Sequence, residues 1–301
     1  MMQSVDISII MGSFNQADIL KRVLMGFQDQ SFSGTFEVIV VDSSSTDGTH
    51  DLFDSFNASF VFRPIIQENN GKAAARNRGV SEARSDYIII TDSDMIPDKH
   101  FVQTHYDAHQ SSSTPSCFEG VTYNLKTLHW PPKKECIYAY ISRDYKDGKS
   151  LGWYYFLTGN ISFPKSIFDS EGGFSEDFLN YGWEDLELGY RLSKKKVPLY
   201  YLKSAINYHY HVITEDEEIQ RNVAKGASAA ILIRKHPALK TFCGLNPLST
   251  FLHPRLKKNG RIYSWIEKKC YRSKGKRRHA FGFWFLKEYH YLEGLLGSLS
   301  T

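Results

Sequence analysis

Between Val5 and Thr91 the chain alternates short apolar runs with stretches of helical spacing, and each apolar run ends in a polar cluster. Val5–Met11 (VDISIIM) is β-branched and stops at Gly12, while Phe36–Val41 (FEVIVV) is almost continuously apolar, as a parallel strand covered on both faces must be. Phe60–Ile66 reads as another strand, and Tyr87–Thr91 (YIIIT) as a central one. Between them, Ala17–Gln28 places Ile19, Leu20, Val23, Leu24 and Phe27 on one helical stripe. Ser45–Thr49 supplies helix-start chemistry for a short helix over His50–Phe56, and Lys72–Ala83 forms a third helix. Strand–helix repeats at this spacing mean βαβ units and an open α/β sheet flanked by helices.

Length and composition set the outer limits. At 301 residues the chain is long for one core, so one large or two small domains are expected. Its four cysteines (Cys117, Cys136, Cys243, Cys270) form no CxxC pair, which excludes a disulfide framework and a cysteine zinc knuckle. The N-terminus has no basic region before its apolar run, so no signal peptide is expected. No run approaches the ~18 apolar residues of a membrane span. A cytoplasmic location follows as the expectation.

In open α/β sheets ligands bind where the strands end, so the polar clusters there are the candidate site. They are Gly12–Asn15, Asp42–Ser45, Asn69–Lys72 leading to Arg76, and Asp92-Ser93-Asp94. In an extended segment Asp92 and Asp94 point the same way, and two adjacent carboxylates call for a cation. A hard divalent ion such as Mg²⁺ or Mn²⁺ takes oxygen ligands and shares them with phosphates, so the pattern implies a metal–diphosphate site. Arg76 is a second cation for that diphosphate. No Walker GxxxxGK[ST] or GxGxxG occurs, which disfavours a kinase, a P-loop ATPase or a nicotinamide enzyme.

The ordered blocks ISIIMGSFNQ, EVIVVDSSSTDGT, ENNGKAAARNRG and YIIITDSDMIPD resemble the nucleotide-sugar half of glycosyltransferase family 2 enzymes of GT-A fold. Leu157–Asn160, Gly172–Glu176, Tyr181–Glu187 and Asn207–His209 are similar to the second half shared by chondroitin-polymerase-like, galactosyltransferase and polypeptide GalNAc-transferase families. The resemblance implies a Rossmann-like, mostly parallel sheet with a donor-binding half over 1–110 and an acceptor-binding, catalytic half over 111–214. The segment 215–301 is a helical basic–aromatic extension outside it.

The resemblance also implies roles. Ser13, Asn15 and Asp42 would hold the base and ribose; Arg76 would sit near the base or diphosphate; Asp92 would contact ribose or metal; Asn70, Gly71 and Ser93 would line the nucleotide-sugar site; Gly159 and Asn160 would border the donor sugar. Asp94 would bind Mn²⁺ or Mg²⁺ with His209, Asp92 assisting, and His211 would replace His209 if the strand register slips. Asp185 would be the general base, Glu184 would bind acceptor hydroxyls, and Trp183 would stack on the acceptor sugar. The activity implied is metal-dependent, inverting transfer of a hexosyl or N-acetylhexosaminyl group from a UDP-sugar to a glycan, lipid-linked or peptide acceptor. Gly12-Ser13-Phe14 and Ser43 depart from the commoner family residues. A nucleotide-sugar-binding subunit without activity and a nucleotidyltransferase are the alternative readings.

Net charge adds a separate observation. Between Arg255 and Arg278 there are eleven Lys/Arg and a single acid, Glu267, a local balance of +10 in a chain of net charge +4. Followed by FGFWFL at Phe281–Leu286, this basic–aromatic segment (255–301) suits peripheral contact with an anionic membrane. No nucleic-acid recognition motif accompanies the charge, so no nucleic-acid partner is expected.

Overall fold

The computed structural model describes residues 4–140, 144–179, 181–256, 260–272 and 277–300. They fall into two compact units, one running to Glu176 and including Glu184–Val212, the other made of Asp177–Trp183 and the chain from Ile213 onward.

In the first unit the elements follow the order β1 (Ile7–Ser13), α1 (Ala17–Gln28), β2 (Phe36–Asp42), α2 (Thr49–Ser55), β3 (Val61–Ile66), α3 (Gly71–Glu82) and β4 (Tyr87–Thr91). Then come β5 (Met95–Pro97), α4 (Phe101–Ser111), β6 (Cys117–Leu125), β7 (Ile137–Tyr140), β8 (Asn160–Pro164), α5 (Lys165–Ser170), α6 (Glu184–Lys194) and β9 (Leu199–His209). The sheet order is β3-β2-β1-β4-β8-β6-β9-β5, with β7 paired to β6. The first four strands are parallel, and antiparallel pairing enters where β8 sits between β4 and β6. Pro64 is tolerated because β3 lies at the sheet edge.

Alternation along the buried strands sends side chains to two separate cores. Ile10, Ile39, Val41, Ile88 and Ile90 pack under α3 and α6, against Ala73, Ala75, Val80, Leu188 and Leu192. Ile7, Ile9, Met11, Val38, Val40 and Ile89 pack under α1, α2 and α4, against Leu20, Leu24, Phe27, Phe53 and Phe101. Gly79 lets α3 settle onto β1, since a Cβ there would overlap Ile10. Two local readings change. β1 continues past Gly12 to Ser13 because both residues stay in register with Val41 and Asp42 of β2. Asp92–Asp94 is a turn, closed by the Met95 N–H donating to the Asp92 carbonyl at 3.1 Å, so the two carboxylates are not held parallel as in a strand.

The second unit contains α7 (Glu215–Lys235), α8 (Pro247–Leu252), α9 (Arg261–Arg272) and α10 (Arg277–Leu299). A capping box starts α7: the Glu217 N–H donates to Thr214 Oγ1 at 3.2 Å, and the Thr214 N–H donates to Glu217 Oε2 at 2.6 Å. α7 and α10 cross closely, for a Cβ at Gly226 would overlap the Tyr291 carbonyl and one at Gly294 the Val223 carbonyl. Ile219, Tyr263, Cys270, Leu286 and Tyr289 form the core. FGFWFL lies within α10, where Gly282 and Leu286 are buried and Phe281 and Trp284 are exposed. Of the basic segment, residues 257–259 and 273–276 lie outside the described residues. No helix among the described residues is long and apolar enough to cross a membrane.

Candidate active site

The site lies in the first unit, where β4 gives way to the Asp92–Asp94 turn and β5 pairs antiparallel with the end of β9. That pairing sets Met95 opposite His209, and the Tyr210 N–H donates to the Asp94 carbonyl at 3.1 Å. Asp94 Oδ2 consequently stands 3.5 Å from His209 Nε2 and 3.4 Å from His211 Nδ1. One ligand atom from each of the three residues falls within 4.8 Å of the others, and the two imidazoles stack with centroids 5.7 Å apart. The contacts to Oδ2 are long for hydrogen bonds, and Asp94 Oδ1 is buried with no partner among the described residues. Asn124 Oδ1 accepts from His209 Nδ1 at 2.9 Å, which fixes the tautomer and leaves the Nε2 lone pair directed to Asp94. Burial acts to raise the Asp94 pKa, but the His209 and His211 imidazoles beside it and the charge of Lys72 outweigh it, so the carboxyl ionises well below its usual range. An ionised carboxylate with an orphaned oxygen beside two stacked imidazoles is a donor set that fits a divalent cation.

Asp92 faces the other way. Its Oδ1 accepts from Arg76 Nη2 at 2.7 Å, while Arg76 Nη1 donates to Glu184 Oε1 at 2.8 Å. The cluster found among the described residues is Asp94, His209 and His211; Asp92, expected to assist, is turned to Arg76 instead. The guanidinium of Arg76, expected near the base or diphosphate, is 2% exposed and paired with two carboxylates. Burial disfavours its charge, and Asp92 and Glu184 more than restore it, so its pKa is raised. The neighbouring Lys72, which closes the Asn69–Lys72 cluster and was given no role of its own, is solvent-exposed, and the charge of Asp92 raises its pKa.

Glu184 and Asp185 open α6, where acidic side chains meet the positive end of the helix. Glu184 Oε2 is buried and unpartnered among the described residues. Asp185 Oδ1 accepts the Leu186 N–H at 2.7 Å, yet burial and the Glu184 charge push its pKa up to about 7. Arg76 and Asp92 both act on the Asp185 charge, which ties it to the same cluster. A further buried acid is Glu119 of β6; burial and the charge of Asp185 raise its pKa well above the carboxylate range, although the Leu157 N–H donates to it at 3.3 Å. Its only sequence signal was an acid inside the apolar run CFEGV.

The remaining expected residues divide into two groups. Ser13 is 3% exposed with an unpartnered Oγ, while Asn70 and Gly71 form the mouth of α3, Gly71 at φ 86°. Gly159 lends its carbonyl to Thr91 Oγ1 at 3.0 Å and Asn207 Nδ2 at 2.7 Å. The others hold the scaffold. Asp42 is fully buried and accepts from Ser45 N–H (2.8 Å), Ser45 Oγ (2.5 Å) and His50 Nε2 (3.0 Å). Asn15 ties its loop to Ser45 and Thr46 at 2.7 and 2.8 Å, and Ser93 Oγ donates to Gln16 Oε1. Asn160 is 1% exposed and bonds His105, the Val121 carbonyl and the Ala205 carbonyl. In the second unit Trp183, at φ 78°, is 7% exposed and donates to the Lys225 carbonyl at 2.9 Å, so its ring offers no open stacking face. Asp42, Asn160 and Trp183 are thus each engaged in hydrogen bonds that hold the scaffold.

Comparison with known proteins follows the same lines. The model of glycosyl transferase family 2 matches residues 8–171, more than half of the chain, and the model described as the N-terminal domain of galactosyltransferase matches residues 141–215. Validoxylamine A glucosyltransferase of Streptomyces hygroscopicus subsp. jinggangensis (strain 5008) is 26% identical over 262 residues, covering 77% of this chain and 61% of that protein. Hyaluronan synthase of Pasteurella multocida is 27% identical over 268 residues, covering 78% of this chain and 28% of the synthase. The chain therefore spans less than two thirds of either relative. The mannosyltransferase PcManGT of Pyrobaculum calidifontis, solved with GDP-Man and Mn²⁺, superposes with a TM-score of 0.62 at 15% identity over 99% of this chain and 88% of that one.

Proposed function

The chain belongs to glycosyl transferase family 2 and has the GT-A fold, and from that premise we propose that it transfers a sugar from a UDP-linked donor to a hydroxyl of a glycan or lipid-linked acceptor. The observation that carries the reading is the Asp94–His209–His211 cluster standing beside the carboxylate group of Asp92, Glu184 and Asp185 that Arg76 organises. Asp94, His209 and His211 would hold a divalent cation, and its mixed oxygen–imidazole donors favour Mn²⁺ over Mg²⁺, which takes oxygen ligands. Such an ion, when bound, supplies Lewis-acid stabilisation to the leaving diphosphate.

The chain's own residues do the rest. Asp185, with its pKa near 7, is part-ionised at neutral pH and positioned to take the acceptor proton. The acceptor oxygen bonds to the anomeric carbon as the bond from that carbon to the diphosphate breaks; UDP leaves with the electron pair and the proton passes to Asp185. Attack from the face opposite the diphosphate inverts the anomeric configuration. Glu184 Oε2, buried and open to a donor, suits an acceptor hydroxyl. Arg76 fixes Glu184 and Asp92 in place, and Ser13 Oγ has a free hydrogen-bonding capacity for the nucleoside. We assign residues 1–110 to donor binding and 111–214 to acceptor binding and catalysis.

Thermal denaturation with a panel of nucleotide sugars, with and without Mn²⁺, tests this reading. UDP-sugars should stabilise the protein only with the ion, by about 2.7 kcal/mol at a hundredfold excess over Kd. Stabilisation by GDP-sugars alone would move the donor, and stabilisation by none would remove it.

A further inference from the structure

The basic segment is displayed in an ordered way. Around α9, Tyr263 and Cys270 are buried, while Arg261, Ile262, Trp265, Lys268, Lys269 and Arg272 are exposed. At about 100° per residue these six span an arc of about 120° centred near Trp265. The arc holds four cations, one indole, one isoleucine and no carboxylate; Glu267 projects on the other side. Trp265 is 59% exposed and Ile262 60%, and the Lys269 ammonium sits 4.1 Å from the Trp265 ring centroid. On α10, Phe281 (66% exposed) and Trp284 (52% exposed) form a second aromatic pair with centroids 5.9 Å apart.

We propose that this face of α9 docks on a bilayer surface bearing anionic phospholipids, with Trp265 and Ile262 entering the headgroup boundary and the four cations pairing with lipid phosphates. Three observations select that partner. The uniform positive sign complements an anionic surface. An indole flanked by cations is the side-chain combination that stays stable at a wet–apolar boundary, where the ring is buried and the N–H and ammonium groups remain hydrated. Ile262 gives nothing to a phosphate backbone or a nucleobase, so a nucleic-acid surface would leave it unused. The proposal is independent of the transferase reading, because lipid binding needs neither donor nor acceptor.

Co-sedimentation of the full chain with vesicles of phosphatidylcholine alone, or of phosphatidylcholine mixed with phosphatidylglycerol, tests it. Binding is expected only to the mixed vesicles and should fall as salt is raised. Lys268→Glu with Lys269→Glu should weaken it at least about tenfold. Trp265→Ala should weaken it while leaving the salt dependence in place. Because these side chains are exposed, unchanged melting temperatures will show that the variants are folded. Equal binding by the charge-reversed protein, or no binding by the parent, overturns the proposal. So does retention of single-stranded RNA in preference to vesicles, or a dimer that Trp265→Ala dissociates, since either result assigns the face to a different partner.

Discussion

Arg76 of α3 and Glu184 of α6, 108 residues apart in sequence, share a 2.8 Å ion pair, and the same guanidinium binds Asp92 at 2.7 Å. One fork thus joins the donor-side turn to the helix that carries Asp185. Removing it would leave two carboxylates facing each other, Glu184 deeply buried and Asp92 partly so. Arg76→Met should therefore destabilise the fold by about 3 kcal/mol, measured by denaturant titration. Arg76→Lys should recover little, because an ammonium cannot hold two carboxylates in a planar fork.

Asp185 links activity and stability in opposite directions. Its pKa of about 7 in the folded chain lies above the ordinary 3.8, so between those values the folded state keeps a proton that the unfolded state has released. Stability contributed by the protonated group is full below about pH 4 and is lost as pH rises through 7. Asp185→Asn should accordingly melt at or above the parent temperature at pH 8, while its transfer rate drops by about 10²–10⁴. In the parent, kcat/KM should climb with pH through an apparent pKa near 7. A pH-independent profile would place the base elsewhere.

Asn124 tests the metal centre at one remove. It touches no ligand position but accepts from His209 Nδ1 at 2.9 Å and so orients Nε2. Asn124→Ala should weaken Mn²⁺ binding by about 10–100-fold in a direct titration, with the fold intact. His211→Ala should also weaken it, since His211 Nδ1 lies 3.4 Å from Asp94 Oδ2.

A buried histidine chain sets the acid limit. His105 bonds Ser162 Oγ at 2.8 Å and Asn160 Oδ1 at 2.9 Å, and His109 bonds the same Oγ at 2.9 Å. Burial depresses their pKa values to about 4 and about 3, below the ordinary 6.5. The unfolded chain binds protons first as pH falls, so the stability held by these neutral rings is complete above 6.5 and is lost on the way down to about 3. Melting temperature should fall over that window, and His105→Asn should flatten the slope. An unchanged slope would show that these rings do not set the acid limit.

The donor half was legible because its signals are local. The runs FEVIVV and YIIIT become β2 and β4, and the apolar stripe Ile19–Phe27 lies inside α1, since a buried parallel sheet imposes its periodicity on every residue it covers. Asp94 and His209, which motif order put forward together, do stand side by side in the structure. What the sequence hid is set by tertiary partners. Asp92 and Asp94 look equivalent until the turn at Met95 divides them, and the hydrogen bonds of Asp42 to Ser45 and His50 are not visible in the motif. Nor does the sequence show that Trp183 and Asn160 are buried, at 7% and 1% exposed. Strands β6–β8 and all but the end of β9 were not readable because polar and aromatic residues interrupt their alternation, and pairings such as β6 with β9 join segments about eighty residues apart.

The most direct measurement of the central claim is release of nucleoside diphosphate from a UDP-sugar with Mn²⁺ and a saccharide acceptor, comparing the parent chain with Asp94→Ala. The account predicts that the parent liberates UDP, that chelating the metal stops the reaction, and that Asp94→Ala stays folded yet is inactive. Undiminished UDP release by Asp94→Ala, or pyrophosphate release from UTP in place of UDP release, would contradict it.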